Sequence, residues 1–231
     1  MRFQDAAKDG RAVVYATIQA DSLVARAAGL LADADRSGRV LARAVMNGER
    51  TDPDAWRRMF PTLFGSGAAP ASAERAEAIL AVSLEVADRG EQVRSQVRGA
   101  IVEALTAILL ARRGPAVGAA VRRERRVLFD GVPAEIHPYD VTVELDGRAE
   151  AWDCKWGARG IGPDVLHQLD DARTHASDED ESLAVGLVVF DAELSCRVRL
   201  DRQTAPWALT RLVALESLGE LVGPRPADGP G

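Results

Sequence analysis

Tyr139-Asp140-Val141-Thr142-Val143-Glu144-Leu145-Asp146-Gly147-Arg148-Ala149-Glu150-Ala151-Trp152-Asp153-Cys154-Lys155-Trp156 is a pair of alternating runs joined by Asp-Gly. That dipeptide between strand-like segments is the strongest short-range signal for a two-residue type I′ turn. With Asp146-Gly147 at the tip, Leu145 pairs with Arg148, Val143 with Glu150 and Val141 with Trp152. Asp140 then lands opposite Asp153. Side chains alternate along a strand, so the two aspartates share a face, and Lys155 joins them two residues on. The other face carries Tyr139, Val141, Val143, Leu145, Trp152, Cys154 and Trp156, a core surface. Cross-strand aspartates have Cβ atoms about 5 Å apart, and like charges so placed destabilise a sheet. A cation between them removes that penalty.

The lysine carries weight because of its rarity. Of 29 basic residues only Lys8 and Lys155 are lysine. An ammonium is a compact charge that can orient a water, whereas a guanidinium is a fixed planar fork. Lys155, inside an apolar strand and two residues from a carboxylate, points to a need for the ammonium itself.

With 231 residues the chain has ample length to bury a core, as one large domain or two small ones. No apolar run reaches the ~18 residues of a membrane span, and the start lacks the basic and apolar regions of a secretion signal. Cys154 and Cys196 have no CxxC spacing and no histidine-rich partner set. They read as reduced, buried residues on core strands of a cytoplasmic protein. The net charge of −6 is unlike that of a stand-alone nonspecific DNA binder. Basic residues do cluster locally, at Arg98, Arg112, Arg113, Arg122, Arg123, Arg125 and Arg126. That patch reads equally as a phosphate-binding surface or as a solvated linker face.

Residues 1–90 read as a helical N-terminal region, with apolar positions at three- and four-residue spacing. Asp52-Pro53 opens one helix, Gly65–Pro70 is a linker, and a further helix is expected over 72–86. The second region, 91–222, begins with a long helix from Glu91 to Arg112, stopped by Gly114-Pro115. Gly99, Ala100, Glu103 and Ala107 make a stripe of small residues around one carboxylate. The stripe would let the helix approach a sheet and deliver Glu103 to it, against plain solvation as the alternative. A short strand near Val127–Phe129 precedes the hairpin. Then come a loop over 157–163, a helix to about His175 and an acidic turn over 177–181. A strand buried on both faces runs from Ser182 to Phe190. Another strand is expected over Ser195–Leu200 and a closing amphipathic helix over 206–221. The Pro/Gly-rich tail, 223–231, reads as disordered. There is no internal repeat.

The order helix with Glu, strand, strand with Asp, strand with Asp-x-Lys, helix, strand resembles the PD-(D/E)XK nuclease superfamily over roughly residues 91–200. The resemblance implies an α/β, restriction-endonuclease-like fold, a mixed central sheet flanked by helices. It also implies a catalytic set of Glu103, Asp140, Asp153 and Lys155, with Gln168 on the following helix. Two departures are visible: Pro138 stands two residues before Asp140 instead of adjacent to it, and Ala172 replaces an aromatic one turn after Gln168. The metal ligands implied are Asp140, Asp153, the Cys154 carbonyl and Glu103, holding Mg²⁺ with Mn²⁺ as a substitute.

These residue types suit the chemistry. Mg²⁺ prefers hard oxygen ligands, and phosphodiester hydrolysis needs a cation that polarises the phosphoryl oxygen and supplies hydroxide near neutral pH. Lys155 would orient or help deprotonate the attacking water. The expected activity is cleavage of DNA, with RNA also compatible, within a repair, restriction or anti-phage defence assembly. Arg98, Arg122, Arg123, Arg125 and Arg126 would contact nucleic acid. A homodimer or partner protein would supply the DNA affinity that an acidic chain lacks, and no membrane is expected. The alternatives are a catalytically silent binding or scaffold subunit of the same fold and an unrelated α/β protein with solvated aspartates. Walker, HExxH and GxSxG motifs are absent, and His137, His167 and His175 are too scattered for a zinc set.

Overall fold

The computed structural model describes residues 1–6, 10–49, 51–113, 119–129, 131–133, 137–145, 148–178, 182–203 and 211–223. The Asp146-Gly147 tip, Lys8, Glu179–Glu181, Gly114-Pro115 and the tail beyond Gly223 lie outside them.

In chain order the strands are β1 (Arg2–Asp5), β2 (Ala120–Phe129), β3 (Val132–Pro133), β4 (Tyr139–Leu145), β5 (Arg148–Lys155), β6 (Ser182–Val189) and β7 (Leu212–Val213). The helices are α1 (Gly10–Gln19), α2 (Ser22–Asp33), α3 (Arg36–Asn47), α4 (Pro53–Met59), α5 (Pro61–Phe64), α6 (Pro70–Ala87), α7 (Glu91–Ala111), α8 (Pro163–Asp178) and α9 (Glu193–Asp201). The strands form one mixed sheet in the order β1-β2-β4-β5-β6-β7, with β3 beside β2. Pairing is antiparallel from β1 to β5 and parallel from β5 to β7. The protein is thus α/β, with helices on both faces of the sheet. Among the described residues no helix is long and apolar enough to cross a membrane.

The hairpin register is the one its sequence dictates: Leu145 pairs with Arg148, Val143 with Glu150 and Val141 with Trp152. On one face Val141, Val143, Trp152 and Cys154 join a core built from α2, α3, α6 and α7. This core runs from Leu23 to Leu221, so the helices before residue 90 and the sheet bury their apolar surface together. On the other face Ala149, Ala151, Val185, Leu187 and Val189 pack against Leu166, Leu169 and Ala172 of α8. β6 feeds both cores, Val188 and Phe190 into the first and the odd-numbered residues into the second, as a continuous apolar run predicts.

The pleat is broken at one level of the sheet. In β2, Val121 packs with the α7-side core, but Val127 and Phe129 belong to the α8-side core. In β4, Val141 and Val143 face α7, but Tyr139 faces α8. All six are odd-numbered, so in a regular pleat each strand would keep them on one face. The expectation that Tyr139 shares a face with Val141 therefore fails. The switch lies between the pairs Arg123↔Val141 and Arg125↔Tyr139. Glu124 sits there at φ 54°, a left-handed conformation unusual for a residue with a Cβ.

Three further expectations are corrected. Residues 195–200 form part of helix α9, not a strand. Alternation in Cys196, Val198 and Leu200 imitates a strand, but a helix buries i and i+4 and turns i+2 away. Accordingly Cys196 and Leu200 are buried and Val198 is exposed. Both cysteines are free and buried, Cys196 on this helix. The segment expected to close with an amphipathic helix holds, where described, the two residues of β7 and a 3-10 turn over Leu215–Leu221. Leu215, Leu218 and Leu221 recur every three residues, the period that eclipses side chains in a 3-10 turn. Finally, the first element is a strand, β1, set antiparallel to β2, so residues 1–90 are not wholly helical.

Gly186 of β6 lies opposite Trp152. A Cβ there would come within 2.5 Å of the Trp152 ring and 2.8 Å of the Arg211 carbonyl. Gly186→Ala should therefore cost about 1–3 kcal/mol by overpacking, read as a lower urea midpoint with an unchanged slope. An unchanged midpoint would show that Trp152 moves aside freely.

Candidate functional site

Glu103 lies on the face of α7 turned toward the sheet and is buried. The small-residue stripe makes the room, though partly for another helix than expected. A Cβ at Gly99 would lie 3.2 Å from the Tyr15 hydroxyl oxygen, so the glycine admits α1. Tyr15 donates its hydroxyl to Glu103 Oε1. Gln19 Nε2 donates to Glu103 Oε2 at 2.8 Å and to Glu124 Oε1 at 3.0 Å. From β2, Arg123 Nη2 reaches Glu103 Oε2 at 2.9 Å. Burial and the neighbouring Glu103 charge push the Tyr15 phenol well above its ordinary pKa, so it stays a donor.

The break in the pleat brings the remaining acids in. Carboxylate oxygens of Glu103, Glu124 and Asp140 lie within 4.8 Å of one another. The recorded β4–β5 ladder ends at Val141↔Trp152, and one step further the same register sets Asp140 against Asp153. There the Cys154 backbone N–H donates to Asp140 Oδ2 at 2.6 Å. Lys155 donates its ammonium to Asp153.

The electrostatics follow from burial and like charge. Burial first, and then the charges of Asp153 and Glu103, push the Asp140 carboxyl well above the usual range, against the opposing pull of Lys155 and the Cys154 N–H. Glu124 is raised by burial and then by Glu103. Burial disfavours the Lys155 ammonium, but Asp153 and Asp140 outweigh it and hold its pKa above the ordinary value. In formal charge, four carboxylates (Glu103, Glu124, Asp140, Asp153) meet two cations (Arg123, Lys155), an excess of two that the raised Asp140 and Glu124 pKa values reflect. Hard oxygen donors with that excess fit a divalent cation such as Mg²⁺ or Mn²⁺.

Other expected residues fall elsewhere. The Cys154 thiol points into the α7-side core, 3.4 Å from Thr106 Oγ1, and burial then Asp140 raise its pKa, so its backbone is the part that meets the acids. Gln168, buried on α8, donates Nε2 to the His137 carbonyl at 3.0 Å and accepts the His137 N–H at 3.3 Å. Its amide braces the chain entering β4. The His137 side chain itself is exposed. Arg122 is exposed on β2. Arg123 is committed to Glu103 and Arg125 to Glu144 and Asp5, while Arg126 is half-buried beside it. Arg98 is set apart from these, 5.9 Å from the Trp156 ring centroid.

Sequence reasoning missed Glu124, Tyr15 and Gln19. Glu124 is the one acid within Arg122–Arg126, a faint signal, but its left-handed φ leaves no trace in composition. Tyr15 and Gln19 share a helix face at i, i+4 spacing, which reads equally as amphipathic packing.

The chain matches no protein-family model, no curated protein and no solved structure.

A carboxyl whose folded pKa is raised costs stability once ionised. That stability is fully present below the unfolded value of about 3.9 and is lost as pH climbs toward the folded value. Asp140→Asn should therefore be more stable than wild type at pH 8 in EDTA, by about 0.5–2 kcal/mol, with the gap closing as pH falls toward 4. Urea titrations across that range decide it; a variant less stable at pH 8 would show that the charge at Asp140 is already compensated.

Proposed function

We propose that this protein is a metal-dependent nuclease that hydrolyses phosphodiester bonds of DNA, on a restriction-endonuclease-like version of the α/β fold. The observation that carries the reading is the convergence of Glu103, Glu124 and Asp140 within 4.8 Å, with the Asp153–Lys155 pair one register step away. Asp140, Glu103 and Glu124 would hold the ion, with Asp153 beside them. A divalent ion there supplies Lewis acidity and a water acidified toward neutrality.

The chain's own groups divide the remaining work. Lys155, kept protonated by Asp153 and Asp140, offsets negative charge that builds on the phosphate and orients the attacking water. The Asp153 carboxylate holds that ammonium in place. The Cys154 N–H and the Gln168 brace on His137 fix the Asp140 carboxylate and the strand that bears it. Tyr15, Gln19 and Arg123 orient Glu103.

One observation favours a second reading, a catalytically silent DNA-binding or scaffold subunit with the same fold. Both oxygens of Glu103 already accept protein donors, so the cluster is partly satisfied from within. Plasmid nicking in Mg²⁺ or Mn²⁺ separates the two. Lys155→Ala and Asp153→Ala should each lower the rate by about 10²-fold or more, and Glu124→Gln should weaken the dependence on metal. Intact DNA binding without nicking by wild type under either metal would establish the silent reading instead.

A further inference from the structure

Beside the acids, at the carboxyl ends of the parallel strands β5 and β6, is an open cleft of ≈ 620 Å³. Ligands of open α/β sheets bind outside the carboxyl ends of the strands. Its charged lining is Arg43, Arg98, Lys155 and Arg159 against one carboxylate, Asp191, in a chain whose net charge is −6. Asp191 is already engaged: it pairs with Arg43 and accepts the Ala158 N–H at 3.0 Å. Lys155 pairs likewise with Asp153 and Arg98 with Glu91, so the four cations outnumber the three carboxylates they meet by one charge.

Its walls are held ready. The Trp156 indole lines it, tied through Nε1 to Asn47 Oδ1 at 2.8 Å and stacked on Phe190 at a centroid distance of 4.9 Å. Arg98 lies over the indole ring, 5.9 Å from its centroid, and is held there by Asn47, the Met46 carbonyl and the Glu91 carboxylate. Arg159 is exposed and makes no ion pair among the described residues. Lys155 belongs to both places: its stem lines the cleft, close against Gly160, while its ammonium meets Asp153.

Cations along a groove with an aromatic side chain are the recognition elements for an unpaired strand, whose phosphates take the charges and whose bases take the ring. The volume falls within the roughly 300–1,000 Å³ of small-molecule sites, which gives room for a nucleotide or two. We propose that this cleft binds the single-stranded DNA segment next to the scissile phosphate, so that the substrate is a strand with an unpaired stretch, such as an overhang, flap or gap. This rests on the nuclease reading for the meaning of the scissile phosphate, but the binding itself needs no metal.

The test is fluorescence anisotropy in EDTA, with a labelled single-stranded DNA oligonucleotide and a blunt duplex of the same sequence, on the full chain. Wild type should bind the single strand at least about tenfold more tightly than the duplex. Arg159→Ala, at an exposed residue whose loss leaves the fold intact, should weaken single-strand binding severalfold. It should also lower the slope of log affinity on log salt by about 0.7, one phosphate contact on a single strand. Tryptophan fluorescence should be quenched by the oligonucleotide in wild type and much less so in Trp156→Phe. Equal or tighter duplex binding, or an Arg159→Ala variant with unchanged affinity and salt slope, overturns the proposal. Single-strand binding that depends on Arg159 while no metal supports nicking would sustain the cleft and remove the nuclease reading. Nicking with no contribution from Arg159 would do the reverse.

Discussion

Like-charged carboxylates forced together where two strands change faces are the constraint around which this structure is arranged. A regular β2 and β4 would send residues 124 and 140 to the α8 side and keep their odd-numbered neighbours on the α7 side. Instead Glu124 adopts φ 54° and both strands reassign their odd-numbered residues from the α7 side to the α8 side. A left-handed non-glycine residue costs on the order of 1–3 kcal/mol, and the burial that raises the Asp140 and Glu124 pKa values adds to it. The surrounding donors reduce this cost without removing it. Tyr15 and Gln19 are neutral, Arg123 and Lys155 contribute two charges, and the Cys154 N–H contributes a dipole. A neutral polar residue at either position would be cheaper for folding alone, which is the physical reason to test the cluster for a bound cation.

What the sequence revealed and what it hid divide along one line, local against non-local causes. The hairpin register was legible because a two-residue Asp-Gly tip leaves one pairing, and Leu145↔Arg148 follows whatever the tip conformation. β6 was legible because eight residues with hardly a polar group suit a strand covered on both sides. β2 was shortened to Val127–Phe129 because its arginines look solvated. In the folded chain Arg123 and Arg125 are neutralised by Glu103, Glu144 and Asp5, which are distant in sequence. Cys196-x-Val198-x-Leu200 satisfied the strand period and the helix period at once, and only the exposure of Val198 distinguishes them. At the site, Glu103, Asp140, Asp153 and Lys155 were nameable from spacing and resemblance. Glu124 was not, because its contribution depends on a backbone conformation that no propensity favours.

The N-terminal helices are bound into this arrangement. α2, α3 and α6 share a hydrophobic core with α7, which holds Glu103 at a fixed height above the sheet. α1 comes close enough at Gly99 to place Tyr15 and Gln19 on the same carboxylate. α3 also supplies Arg43 and Asn47 to the cleft wall. Two helices from the first ninety residues therefore touch the acids and the cleft directly.

The acidic balance of the chain and the cationic cleft are compatible once their length scales are separated. At physiological salt, charges more than about 8 Å away are largely screened. A net charge of −6 therefore acts mainly on how readily a long polyanion approaches the surface as a whole. Within the cleft Arg43, Arg98 and Lys155 are each paired with a carboxylate, and Arg159 carries the charge in excess. On the proposed reading, a protein of net charge −6 would gain little from lying along an intact duplex. It would gain more from a strand that sets a phosphate at Arg159, the exposed cation of the cleft. On that reading the same distribution would lower nonspecific affinity, and an unpaired segment would be selected by the shape of the opening as much as by charge.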